Sequence, residues 1–83
     1  MEIKVNKSEL KHWLDYMDAA EIYEISVEKL ESGILYITGE VNSLKGIVLH
    51  KEFIVEALSD IDNNSHLTYV YISQENGNTT VIY

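Results

Sequence analysis

Leu10, Trp13, Leu14 and Met17 recur at the i, i+3, i+4, i+7 spacing of one helical face, and a few residues later the apolar spacing drops to two. That change of period constrains the fold more than any other feature. A chain that reads as helix and then as half-buried strand must pack a helix on a sheet, which makes it α+β. The helix is predicted from Lys7 to about Asp18. Asn6 is its expected N-cap, and Glu9 three residues on completes a capping-box pair. Ahead of it, Glu2 to Val5 alternates with Ile3 and Val5 on one side, as a short first strand does.

After Ala19-Ala20, Tyr23, Ile25 and Val27 alternate with Glu24, Ser26 and Glu28. Glu31-Ser32-Gly33 signals a turn, and Ile34 to Val41 follows as the return strand, with Leu35, Ile37 and Val41 on one face and Tyr36, Thr38 and Glu40 on the other. Asn42 to Gly46 reads as a loop. From Ile47 two readings compete: one strand through Val55, or a short strand followed by a helix over Lys51–Asp60, with Phe53, Ile54, Ala57, Leu58 and Ile61 on its stripe. The second is adopted here. Asp60 to Ser65 is expected to be a polar loop, and His66 to Ser73 a strand. Asn76-Gly77 is a strong hairpin signal ahead of a last strand, Thr79 to Tyr83. There is no proline, no repeat and no linker-like stretch. The expectation is a single domain over residues 1–83: an antiparallel sheet of four to six strands with one or two helices packed on one face.

Such a short chain usually needs a staple. With no cysteine among its 83 residues, disulfides, thiolate metal sites, iron–sulfur clusters and thiol catalysis are excluded. The core must come from packing, and the chain is 46% apolar, enough for a folded domain. The N-terminal residues lack a secretory pattern, and no apolar run approaches the roughly 20 residues of a membrane span, so the expected location is cytoplasmic. The N-x-S/T matches at Asn6, Asn63 and Asn78 are then coincidental.

Fourteen acidic residues face six lysines, and arginine is absent, for a net charge of −8. Arginine supplies the fork that grips phosphates and guanine edges, and basic clusters supply the counterion-release term of nucleic-acid affinity. Neither direct nucleic-acid binding nor an anionic membrane suits this chain; a basic protein partner does. Acidity also serves solubility alone.

Motifs for chemistry fail on inspection. Asp60, Asp62 and Asn64 have the spacing of the first ligands of a calcium loop, but Ser65 stands where glycine is needed and Tyr71 where the bidentate glutamate belongs. His12, His50 and His66 are not paired at ligand spacing. No serine lies in a G-x-S-x-G context, and Gly33, Gly39, Gly46 and Gly77 form no phosphate-cradling loop. The expectation is therefore no metal, no cofactor and no enzyme activity.

The tyrosines remain. If Leu35, Ile37, Val70 and Ile72 face the helices, alternation sends Tyr36, Tyr69 and Tyr71 to the opposite face, with Glu24, Glu28, Thr38 and Glu40 on the same side. Tyrosine is frequent at interfaces, although it also stabilises sheets with no partner involved. Tyr36, Glu40, Tyr69 and Tyr71, flanked by Glu24 and Glu28, are the candidate contact residues for a basic protein, such as a nucleic-acid-binding one. In size and charge alone, the chain is similar to small acidic inhibitors of phages and mobile elements, anti-CRISPR and other anti-defence proteins among them, whose carboxylates stand in for phosphates. No family motif supports more. A toxin-neutralising protein is a close variant of that reading. The alternatives are a structural or regulatory homo-oligomer, such as a homodimer closed on the same tyrosines, and a small-ligand-binding module.

Overall fold

Ile3 and Val5 alternate with Glu2, Lys4 and Asn6, and this pattern forms strand β1 (Glu2–Asn6) with both apolar residues fully buried. The structure is a computed structural model and describes residues 1–41, 46–64 and 66–82. Helix α1 (Lys7–Ala20) begins on the expected capping box: the Glu9 amide donates to the Asn6 side-chain oxygen at 2.8 Å, and the Asn6 amide donates to the Glu9 carboxylate at 3.1 Å. Leu10, Trp13 and Met17 are buried, with Leu14 packed at the margin. The helix runs past Asp18 and ends on Glu21 in the left-handed conformation, with the Ile22 amide closing on the Met17 carbonyl.

Strands β2 (Glu24–Lys29) and β3 (Leu35–Thr38) form the first hairpin. β3 is shorter than the expected Ile34–Val41, so Ile34, Glu40 and Val41 lie outside it. Strand β4 (Ile47–His50) then runs directly into helix α2 (Lys51–Asp62), the adopted reading of that segment. The helix extends beyond Asp60, so Asp60 and Asp62 are helical rather than loop residues. The final hairpin is β5 (Tyr69–Glu75) and β6 (Asn78–Ile82), joined at Asn76-Gly77. Both turn residues have positive φ, 52° and 81°, as a type I′ turn requires, so the Asn-Gly pair serves the geometry it signalled. Ser65 and Tyr83 lie outside the described residues, as does the Asn42–Lys45 part of the expected loop.

The expected single sheet is instead two antiparallel sheets of three strands, in the orders β1-β5-β6 and β3-β2-β4. The two helices and both sheets bury one common core. The division follows from an internal duplication that the sequence does not announce. The chain is two βαββ units in tandem: β1-α1-β2-β3 and then β4-α2-β5-β6. Buried Ile3, Val5, Leu10, Trp13 and Met17 have buried counterparts 44 residues later (3 to 47) in Ile47, Leu49, Ile54, Ala57 and Ile61. Ile25 and Val27 correspond to Val70 and Ile72.

The first strand of each unit pairs with the second strand of the other unit. Val5 faces Val70 and Ile3 faces Ile72, just as Leu49 faces Ile25 and Ile47 faces Val27. The helices run antiparallel and are tied at both ends by equivalent ion pairs, Lys7 with Asp62 and Lys51 with Asp18. Neither unit can close its core alone, because each sheet takes strands from both.

One polar side chain joins the sheets. Gln74 lies on the inward side of β5, in step with Val70 and Ile72. Its amide accepts from the Val48 N–H at 3.0 Å, and donates to the Val48 carbonyl at 3.0 Å and the Thr79 hydroxyl at 2.7 Å. The side chain thus satisfies the outward backbone groups of β4 as a neighbouring strand would.

Candidate protein-interaction face

With Ile25 and Val27 buried in the core, alternation along β2 turns Glu24, Ser26 and Glu28 outward. The neighbours complete that face. Glu28 stands directly opposite Tyr36 of β3, a residue 55% exposed, and Glu24 stands opposite His50 of β4. The Glu24 carboxylate lies 2.9 Å from His50 Nε2. Ser26, between the two glutamates, is only 4% exposed. Glu40 is exposed just past the end of β3, where its amide donates to the Thr38 hydroxyl at 3.1 Å. Tyr36, Glu24 and Glu28 therefore share one sheet face, with Glu40 beyond the strand end.

Tyr69 and Tyr71 are elsewhere. Both belong to β5, in the other sheet, so the expected single tyrosine face is divided. The cause is the split of the strands into two sheets, which alternation along any one strand cannot reveal. On β5 the two rings meet edge to face, 5.6 Å apart at 88°. Their cross-strand companion is a cation: Lys4 Nζ lies 4.1 Å above the Tyr69 ring. Lys4 and Ile82 flank Tyr71 on either side, and Ile82 is 45% exposed. The outer face of this sheet is aromatic, aliphatic and basic at its centre, with the carboxylates Glu2 and Glu75 toward one end.

Two residues at the edge of the acidic sheet were not singled out from sequence. Tyr23 was placed inward with Ile25 and Val27, yet it precedes β2 and is 71% exposed. Period-2 reasoning fails there because the alternation begins only at Glu24. Lys51, the first residue of α2, ion-pairs with Asp18 and lies 5.8 Å from the centre of the Tyr23 ring. The hydrogen bond it donates to Asp18 holds the Lys51 ammonium above its usual pKa range. By the same cause at the equivalent corner, the hydrogen bond from Lys7 holds the Asp62 carboxyl below its usual range.

Among the described residues, no group of three or more His, Asp or Glu side chains is arranged to hold a metal ion. Asp60 and Asp62 point from a helix, and Tyr71 lies in a paired strand, so no calcium loop forms there. No described helix is long and apolar enough to cross a membrane. No protein-family model, curated protein or solved structure matches this chain.

Proposed function

We propose that this chain is a non-enzymatic, acidic protein-interaction module that acts in the cytoplasm. It docks the outer face of the β3-β2-β4 sheet onto a basic partner and blocks a surface that otherwise holds nucleic acid. The observation that carries the reading is the pairing of carboxylates with an exposed tyrosine on one regular sheet face, Glu28 against Tyr36 with Glu24 alongside, in a chain of net charge −8. Carboxylates so placed complement lysine and arginine on the partner and speed its encounter, while Tyr36 adds contact area at low entropic cost. Charged groups at an interface rim act through long-range attraction, so the binding weakens as salt rises.

The test is capture by the tagged protein and by a variant carrying Glu24→Lys, Glu28→Lys and Glu40→Lys. The wild type should retain a basic, nucleic-acid-handling protein that is released by rising salt and by competing DNA, and the variant should lose it. Equal retention by both would refute the assignment of this face.

A second reading has its own observation. The Lys4–Tyr69–Tyr71–Ile82 patch is uncharged apart from Lys4, which makes it the place where two strongly acidic copies meet with least repulsion. Light scattering distinguishes it: a dimer that Tyr71→Lys dissolves supports self-association, and a monomer at every concentration removes it.

A further inference from the structure

The C-terminus of α1 and the N-terminus of α2 meet at Lys51, and three surface depressions open from that residue. One, of about 320 Å³, lies between Asp18, Glu21 and Tyr23. A second, of about 460 Å³, passes between Tyr23, His50 and Glu52. The third, of about 430 Å³, follows the outer side of α2 past Val55 and Glu56. Lys51 lines all three and Tyr23 the first two, so these two residues mark one grooved corner, with His50 of the sheet face beside it. Its polar rim is acidic, and the negative end of the α1 dipole, with no basic residue in the last turn, adds to it. Its apolar surfaces are the Tyr23 ring and the exposed Val55 side chain.

The groove already holds a cation. The Lys51 ammonium sits between the Asp18 carboxylate and the Tyr23 ring. The duplication supplies an internal control for what that arrangement is for. At the equivalent corner Lys7 meets Asp62 in the same way, but the position matching Tyr23, two residues before the buried Val70, is Thr68. Both corners carry the lysine–aspartate tie, and the second has no ring at the matching position. Tyr23 is 71% exposed, contributes little to the core, and lies beside the Lys51–Asp18 corner. A guanidinium suits this place better than an ammonium, because it stacks on an aromatic face while bonding a carboxylate through its fork.

We propose that this groove takes an arginine-bearing segment of the basic partner, one guanidinium replacing the Lys51 ammonium between Asp18 and Tyr23. Lys51 is then a resident competitor, and its flexible stem lets the ammonium swing into solvent when displaced. The inference rests on the acidic-docking reading and names the chemistry of the segment it would grip.

The experiment measures anisotropy of a labelled oligo-arginine peptide with the full-length protein, using the same peptide with citrulline in place of arginine as control. Tyr23→Ala should weaken binding about two- to fivefold, the scale of one exposed cation–π contact. Lys51→Met should tighten it, and the citrulline peptide should not bind. Thermal unfolding establishes that both variants remain folded. Unchanged binding in Tyr23→Ala, or no gain in Lys51→Met, overturns the groove. If those variants bind like wild type while reversal of Glu24 and Glu28 abolishes binding, the groove fails and the acidic-face reading stands. If the wild type does not bind the peptide, both fail.

Discussion

Gln74 does what no apolar residue at its position could. Its amide carries an acceptor and donors at one tip, which matches the N–H and carbonyl that Val48 turns outward. Gln74→Ala leaves both backbone groups without that partner in a part-buried setting and should cost about 1–3 kcal/mol in urea unfolding. A change within error would mean that water replaces the amide in full. Gly46 is required for a different reason, space. A Cβ there would stand 2.3 Å from the Val27 carbonyl oxygen, against backbone that cannot step aside. Gly46→Ala should therefore lower the unfolding midpoint markedly, whereas Gly33, whose Cβ direction is open, is constrained only by its positive φ. Neither role was legible in the sequence: Gly46 read as a loop glycine, and no local pattern singles out Gln74. Their partners lie in strands distant along the chain.

At the level of elements, the two helices are capped unequally. α1 has its capping box, and Asn6→Ala should cost it about 1 kcal/mol in thermal or urea unfolding. α2 begins at His50 with no side-chain cap, so its position owes more to packing and to the ion pairs at its ends. Those pairs give the helix pair a defined pH response. Asp62 has a lowered pKa in the fold, so its stabilising contribution is present above the unfolded carboxylate value. That contribution disappears as pH falls through the folded one, in the acid range below about 4. Lys51 has a raised pKa, so its contribution is intact below the ordinary lysine value and disappears as pH climbs past it. Melting scans of Asp62→Asn should show a smaller drop between neutral pH and pH 3 than the wild type. An identical drop would place the acid sensitivity in other carboxylates. α1 was legible from the 3.6-residue spacing of its buried stripe and the last hairpin from Asn76-Gly77, whereas the start of α2 also fitted a strand running through Val55. The end of α2 was not legible, since Asp60, Asp62, Asn63 and Asn64 favour turns, and tertiary burial of Ile61 carries the helix on to Asp62.

For the whole molecule, net charge and duplication set the behaviour. Fourteen acidic residues on so small a body repel one another, and the ion pairs to Lys7 and Lys51 neutralise few of them. Moderate salt should raise the melting temperature by screening that repulsion, while the same salt weakens docking to a basic partner. A melting temperature that falls with sodium chloride would show that the ion pairs outweigh the repulsion. The two βαββ units exchange strands, so the interface between them is the core itself. By itself the sequence determined what local spacing controls: α+β character, the first amphipathic helix, hairpin turns, a cysteine-free core and an acidic surface without arginine. Only the tertiary structure decided how the strands divide, because pairing of β1 with β5 and β2 with β4 depends on which apolar faces bury each other across dozens of residues. That division separates Tyr36 and its glutamates from Tyr69 and Tyr71. It also carries Tyr23 to a charged corner that its place in the sequence does not disclose.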